Sequence, residues 1–73
     1  MEDIKGVIRD NIIDAPNGIT NSKSWEGDKI LYDQNGVKVT ISYRHGYIEV
    51  LGLSDEKFRE LREYYRLLMG SGE

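Results

Sequence analysis

Apolar positions along the chain follow two periods in turn. Ile4, Val7, Ile8 and Ile12 recur at steps of three and four, which predicts a helix over about 2–13. Gly6 and the β-branched residues lower its intrinsic propensity, so tertiary contact has to hold it; an irregular arm is the alternative. From 14 to 27 the composition turns to Pro16, Asn17-Gly18, Asn21, Ser22, Ser24 and Gly27, which predicts a long loop anchored by Trp25.

Alternation then takes over. Three strands are predicted at about 28–33, 37–43 and 47–53. Asn35-Gly36 between the first two is the strongest short-range signal for a two-residue turn, because both central positions need positive φ. That turn sets Tyr32 opposite Val39 and Ile30 opposite Ile41. A second tight turn at His45-Gly46 sets Tyr43 opposite Ile48, Ile41 opposite Val50 and Val39 opposite Gly52. Both registers collect Ile30, Tyr32, Val39, Ile41, Tyr43, Ile48 and Val50 on one face, and a slip of one residue would turn that set outward.

Ser54 then caps a helix over 55–69, with Asp55 and Glu56 at its positive end and Gly70 following it. Phe58, Leu61, Tyr65, Leu68 and Met69 form the stripe that should cover the sheet. Residues 70–73 read as a frayed tail. The expectation is one α+β domain over 1–73: a three-stranded antiparallel meander with both helices on one face.

The opposite sheet face would carry Lys29, Ser42 and Glu49 in one row, Leu31, Thr40 and Leu51 in the next, and Asp33, Lys38 and Leu53 in the third. Leu31, Leu51 and Leu53 among charges are what a partner-binding or homodimer surface would show, unless the 14–27 loop, led by Trp25, folds over them. Five tyrosines point the same way, since the ring binds at low entropic cost. Tyr32, Tyr43 and Tyr65 are assigned to the core, leaving Tyr47 and Tyr64 as interface candidates, with Leu67 on the outer side of the helix beside Tyr64.

Composition narrows the choices. At 73 residues, with 38% hydrophobic and 32% charged, the chain suffices for one small core and has no room for a second domain. It has no cysteine, hence no disulfides or thiolate ligands, and a reducing, cytoplasmic setting is expected. Neither a signal peptide nor the roughly 20 apolar residues that span a bilayer is read from the sequence. No cofactor or metal site is expected. His45 is the sole histidine and sits in a turn; no serine falls in a nucleophile motif, and no phosphate-binding fingerprint occurs. An enzyme is therefore not expected.

The net charge of −3 gives no bulk attraction to phosphate. Locally, Arg59, Arg62 and Arg66 share a stripe that could grip phosphates or an acidic partner, although Glu56, Glu60 and Glu63 lie close enough to neutralise them. The order helix, three strands, helix resembles the double-stranded-RNA-binding domain, which implies groove reading by basic residues on the second helix. Here that helix opens with Asp55-Glu56-Lys57 in place of a lysine cluster, and Gln34-Asn35-Gly36 lacks the family's Gly-Pro and histidine loop. The leading expectation is a non-catalytic protein-binding module, a small regulator or inhibitor of a larger protein, of a kind that phages and mobile elements often encode. The alternatives are nucleic-acid binding through the arginine stripe and a self-associating structural subunit.

Overall fold

The computed structural model describes residues 3–22 and 27–70. The assignments to Trp25 and to the tail 71–73 lie outside these residues. Two helices pack on one face of a four-stranded mixed sheet, so the α+β expectation holds with one strand added.

Helix α1 spans Ile4–Asn11, and the Gly6 N–H donates to the capping carboxylate of Asp3 at 2.8 Å. Val7 and Ile8 are buried and Ile4 packs against the same cluster, so tertiary contact offsets the low propensity of this segment. A 3-10 turn at Ile12–Asp14 then tightens the chain and leaves Ile13 86% exposed.

The stretch expected as continuous loop contains strand β1, Ile19–Thr20, which pairs in parallel with β4, Tyr47–Leu51. Its placement comes from remote partners. Asn17 donates through its backbone N–H to Gly46 O at 2.9 Å and through its side chain to His45 O at 2.8 Å, while the Ile48 N–H donates to Gly18 O at 3.0 Å. These bonds fasten the 15–18 turn to the loop that precedes β4 and deliver the next two residues to the sheet edge. Sheet order is β1-β4-β3-β2, with β2 at Lys29–Gln34 and β3 at Val37–Ser42.

The first hairpin turns as expected: Asn35 and Gly36 both have positive φ, at 55° and 80°, and Tyr32 faces Val39. The expected pairing of Ile30 with Ile41 is replaced. A bulge lets Ile30 pair with Thr40 and Lys29 with Ile41. Leu31 and Tyr32 consequently both pack against the core, and Ile30 is 53% exposed instead of inward.

In the second hairpin the expected two-residue turn is a four-residue loop, 43–46. Ile41 faces Ile48 and Val39 faces Val50, two residues from the expected register. The loop is held by Asp28, whose carboxylate accepts the N–H groups of Tyr43 at 2.9 Å and Arg44 at 3.4 Å, and by the Gly46 N–H donating to Ser42 O at 2.8 Å. Tyr43 therefore leaves the strand and is exposed. A shift of two preserves the alternation, so Val39, Ile41, Ile48 and Val50 still point inward and are essentially fully buried.

At the end of β4, Gly52 has φ 96° and lies against the tip of the first hairpin, where a Cβ would collide with the Gly36 carbonyl oxygen. Leu53 turns into the core, and Ser54 caps helix α2, Asp55–Gly70, its Oγ accepting the Lys57 N–H at 3.2 Å. Leu53 before the cap and Phe58 within the first turns pack in one cluster, as in a hydrophobic staple. The helix runs one residue past expectation and includes Gly70. Phe58 and Leu61 are buried and Tyr65 is half-buried, but Met69 is exposed, unlike the stripe to which it was assigned.

Candidate interaction surfaces

Two surfaces were marked by the sequence, and the fold treats them differently. On the second sheet face, Thr20, Glu49 and Thr40 lie in one row across β1, β4 and β3. Thr40, Ser42 and Glu49 are all buried there. Gly27 crosses so closely that a Cβ on it would lie 2.6 Å from Thr40 Cβ. The Thr40 hydroxyl donates to Glu49 Oε1 at 3.2 Å, and the other carboxylate oxygen, Oε2, is buried without a hydrogen-bond partner among the described residues. Burial of a carboxylate oxygen costs free energy unless another group replaces its water.

The leucine patch expected on this face is not assembled. Leu31 and Leu53 pack against the core, and only Leu51 stays on the second face, half-buried opposite Lys38. Tyr47 is half-buried opposite Ser42, beside Gly18. At one end of the face a polar cavity of about 380 Å³ is lined by Gly27, Asp28, Ser42, Arg44 and His45. Its polar groups are used by the loop itself: Ser42 Oγ accepts the His45 backbone N–H at 3.3 Å, and Asp28 holds two others. Among the described residues no group of three or more His, Cys, Asp or Glu side chains is placed to hold a metal ion. No helix there is long and apolar enough to cross a membrane.

The solvent side of α2 is open. Tyr64 turns toward α1, where Lys5 Nζ lies 5.6 Å from its ring centroid. Arg9 is drawn to Asp10 and also to Tyr64, which raise its pKa in that order. Tyr64 is therefore chiefly a helix–helix contact. Leu67 is 61% exposed. Arg66 bonds Glu63 at 2.7 Å, a contact that holds its pKa above the ordinary value, whereas Arg59 and Arg62 have no ion-pair partner among the described residues. The neutralisation weighed from the sequence thus reaches one arginine of three.

Two shallow hollows run along this row. One, about 250 Å³, lies between Arg62, Tyr65 and Arg66 of α2 and Asn17, Gly18 and Ile19 before and within β1. The other, about 260 Å³, is lined by Arg59, Arg62, Glu63 and Arg66. They adjoin, sharing Arg62 and Arg66. The Tyr65 hydroxyl donates to Ala15 O at 2.6 Å and fixes the 15–18 turn against the helix; burial raises its pKa, opposed by a bond from the Gly18 backbone. The wall formed by Asn17 and Gly18 was not foreseen, because Asn-Gly signals a turn and says nothing about what that turn will touch. An apolar-lined hollow of about 420 Å³ lies elsewhere, among Asp3, Ile4, Lys5, Tyr32, Gln34, Asn35 and Leu61. Comparison with known protein families, curated proteins and solved structures gives no match for this chain.

Proposed function

We propose that this chain is a non-catalytic protein-binding module that regulates or inhibits a larger protein by docking the solvent side of α2 on it. One observation carries the reading. Leu67 stands 61% exposed on the same helix as two arginines that lack ion-pair partners among the described residues. An exposed apolar side chain on a helix that also presents guanidinium groups without ion-pair partners among the described residues has the residue types of an interface centre and its rim. The closed, polar second sheet face supports the choice of α2 over the sheet. The absence of cysteine favours a reducing compartment such as the cytoplasm.

Affinity capture from the native cell tests this, with the wild type, Leu67→Asp and Leu51→Asp as baits of matched circular dichroism. The partner should be retained by the wild type and Leu51→Asp and lost by Leu67→Asp. Recovery equal in all three, or loss with Leu51→Asp alone, contradicts the reading.

The arginine row also supports a second reading, nucleic-acid binding, because guanidinium groups grip phosphates. That reading requires retention of RNA or DNA at low salt, falling steeply as salt rises and abolished by Arg59→Glu with Arg62→Glu.

A further inference from the structure

We propose that the adjoining hollows along α2 form a site for a short, extended acidic segment of the partner protein, with Arg62 at its centre. The inference rests on the docking role of α2 and names what that surface recognises. Arg62 lines both hollows, so a carboxylate seated in either meets it.

Spacing sets the form of the ligand. Arg62 and Arg66 are separated by about 6 Å of helix rise, and Arg59 and Arg62 by about 4.5 Å. Alternate side chains of an extended peptide lie about 6.7 Å apart on one side. Glutamates at alternate positions can therefore meet Arg62 and Arg66 together, each through the paired donors of a guanidinium group. Ile19 and the Tyr65 ring wall the first hollow and give the peptide's aliphatic carbons an apolar contact.

Arg66 is the adjustable member. It bonds Glu63, a contact exposed on both sides and hence weak, and an incoming carboxylate can displace Glu63 from it. Charge distribution favours a short ligand over a long polyanion. The three arginines cover only about 10.5 Å of helix. Asp55 and Glu56 carry negative charge beyond them on the N-terminal side, within a chain of net charge −3. A nucleic-acid strand would set its further phosphates against those carboxylates, whereas a peptide with two or three glutamates would not.

The test is fluorescence anisotropy with a short fluorescein-labelled peptide bearing glutamate at alternate positions, at low salt. The controls are the same peptide with glutamine and an oligothymidylate of equal charge. The wild type should bind the glutamate peptide, with affinity falling as salt rises. Arg62→Glu should weaken it by about tenfold or more and Arg62→Gln by less, both with unchanged circular dichroism. Glu63→Gln should tighten binding by about two- to fivefold by releasing Arg66. No binding, equal binding of the glutamine peptide, indifference to Arg62→Glu and Arg62→Gln, or preference for the oligothymidylate would each overturn the proposal. If capture depends on Leu67 while Arg62→Glu keeps the partner, α2 docking stands and the acidic-segment site falls.

Discussion

The second face of the sheet and the solvent side of α2 both carry apolar residues among charges in the sequence, yet one is closed and the other open. On the sheet, Thr40, Ser42 and Glu49 are buried beneath a crossing at Gly27. On the helix, Leu67 is exposed, and the arginines line hollows that nothing among the described residues fills. Alternation tells which side chains share a face; whether that face is wet depends on what the rest of the chain lays across it. Polar residues can therefore be interior and leucine exterior in the same small fold.

Substitutions should separate the two surfaces by what they damage. Ser42→Leu is expected to do most, because a large side chain has to enter a closed layer where the hydroxyl now accepts the His45 N–H. A loss of about 1–3 kcal/mol in urea unfolding is predicted, and an unchanged midpoint would mean that the face is open. Tyr65→Phe comes next, on the border between α2 and the 15–18 turn, with a loss of about 1 kcal/mol from the missing bond to Ala15 O. Burial raises the Tyr65 pKa, so folding favours the neutral phenol. That contribution is complete below the ordinary tyrosine value near pH 10, disappears as pH climbs through the raised one, and should be missing from the alkaline limb of Tyr65→Phe.

The third effect is a gain. Glu49→Gln retains an acceptor for the Thr40 hydroxyl and removes a charge whose second oxygen is buried without a partner among the described residues. Thermal unfolding should show up to about 1 kcal/mol of added stability, and a clear loss would reveal that the charge is compensated. Smallest of all, Leu67→Asp should change stability by no more than about 0.5 kcal/mol, since the side chain is mostly in water. A larger loss would place Leu67 in packing and remove it from the docking surface.

What the sequence disclosed depends on range. Helices α1 and α2, the cap at Ser54 and the turn at Asn35-Gly36 follow from periods and residue types within a few positions, and the structure contains them. The β3–β4 loop is four residues long because Asp28, far off in sequence, caps the N–H groups of Tyr43 and Arg44; no local motif records that bond. The bulge that turns Leu31 inward and Ile30 outward is equally silent in the alternation, since Ile30-Leu31-Tyr32 is apolar in every register. Strand β1 is too short for any period to reveal, and its parallel pairing depends on Asn17 reaching the His45 and Gly46 carbonyls. The arginine stripe is visible as helical spacing, but that Glu63 pairs with Arg66 and leaves Arg59 and Arg62 without ion-pair partners among the described residues is a matter of side-chain geometry.

Amide chemical shifts of the isotope-labelled protein, followed while the alternating-glutamate peptide is added, compare the two surfaces in a single experiment. Changes should cluster at Arg59, Arg62 and Arg66 and at Gly18 and Ile19 across the hollow, with Lys38 and Leu51 unmoved. Changes centred on those last two residues, or none anywhere at saturating peptide, would contradict α2 as the recognition surface.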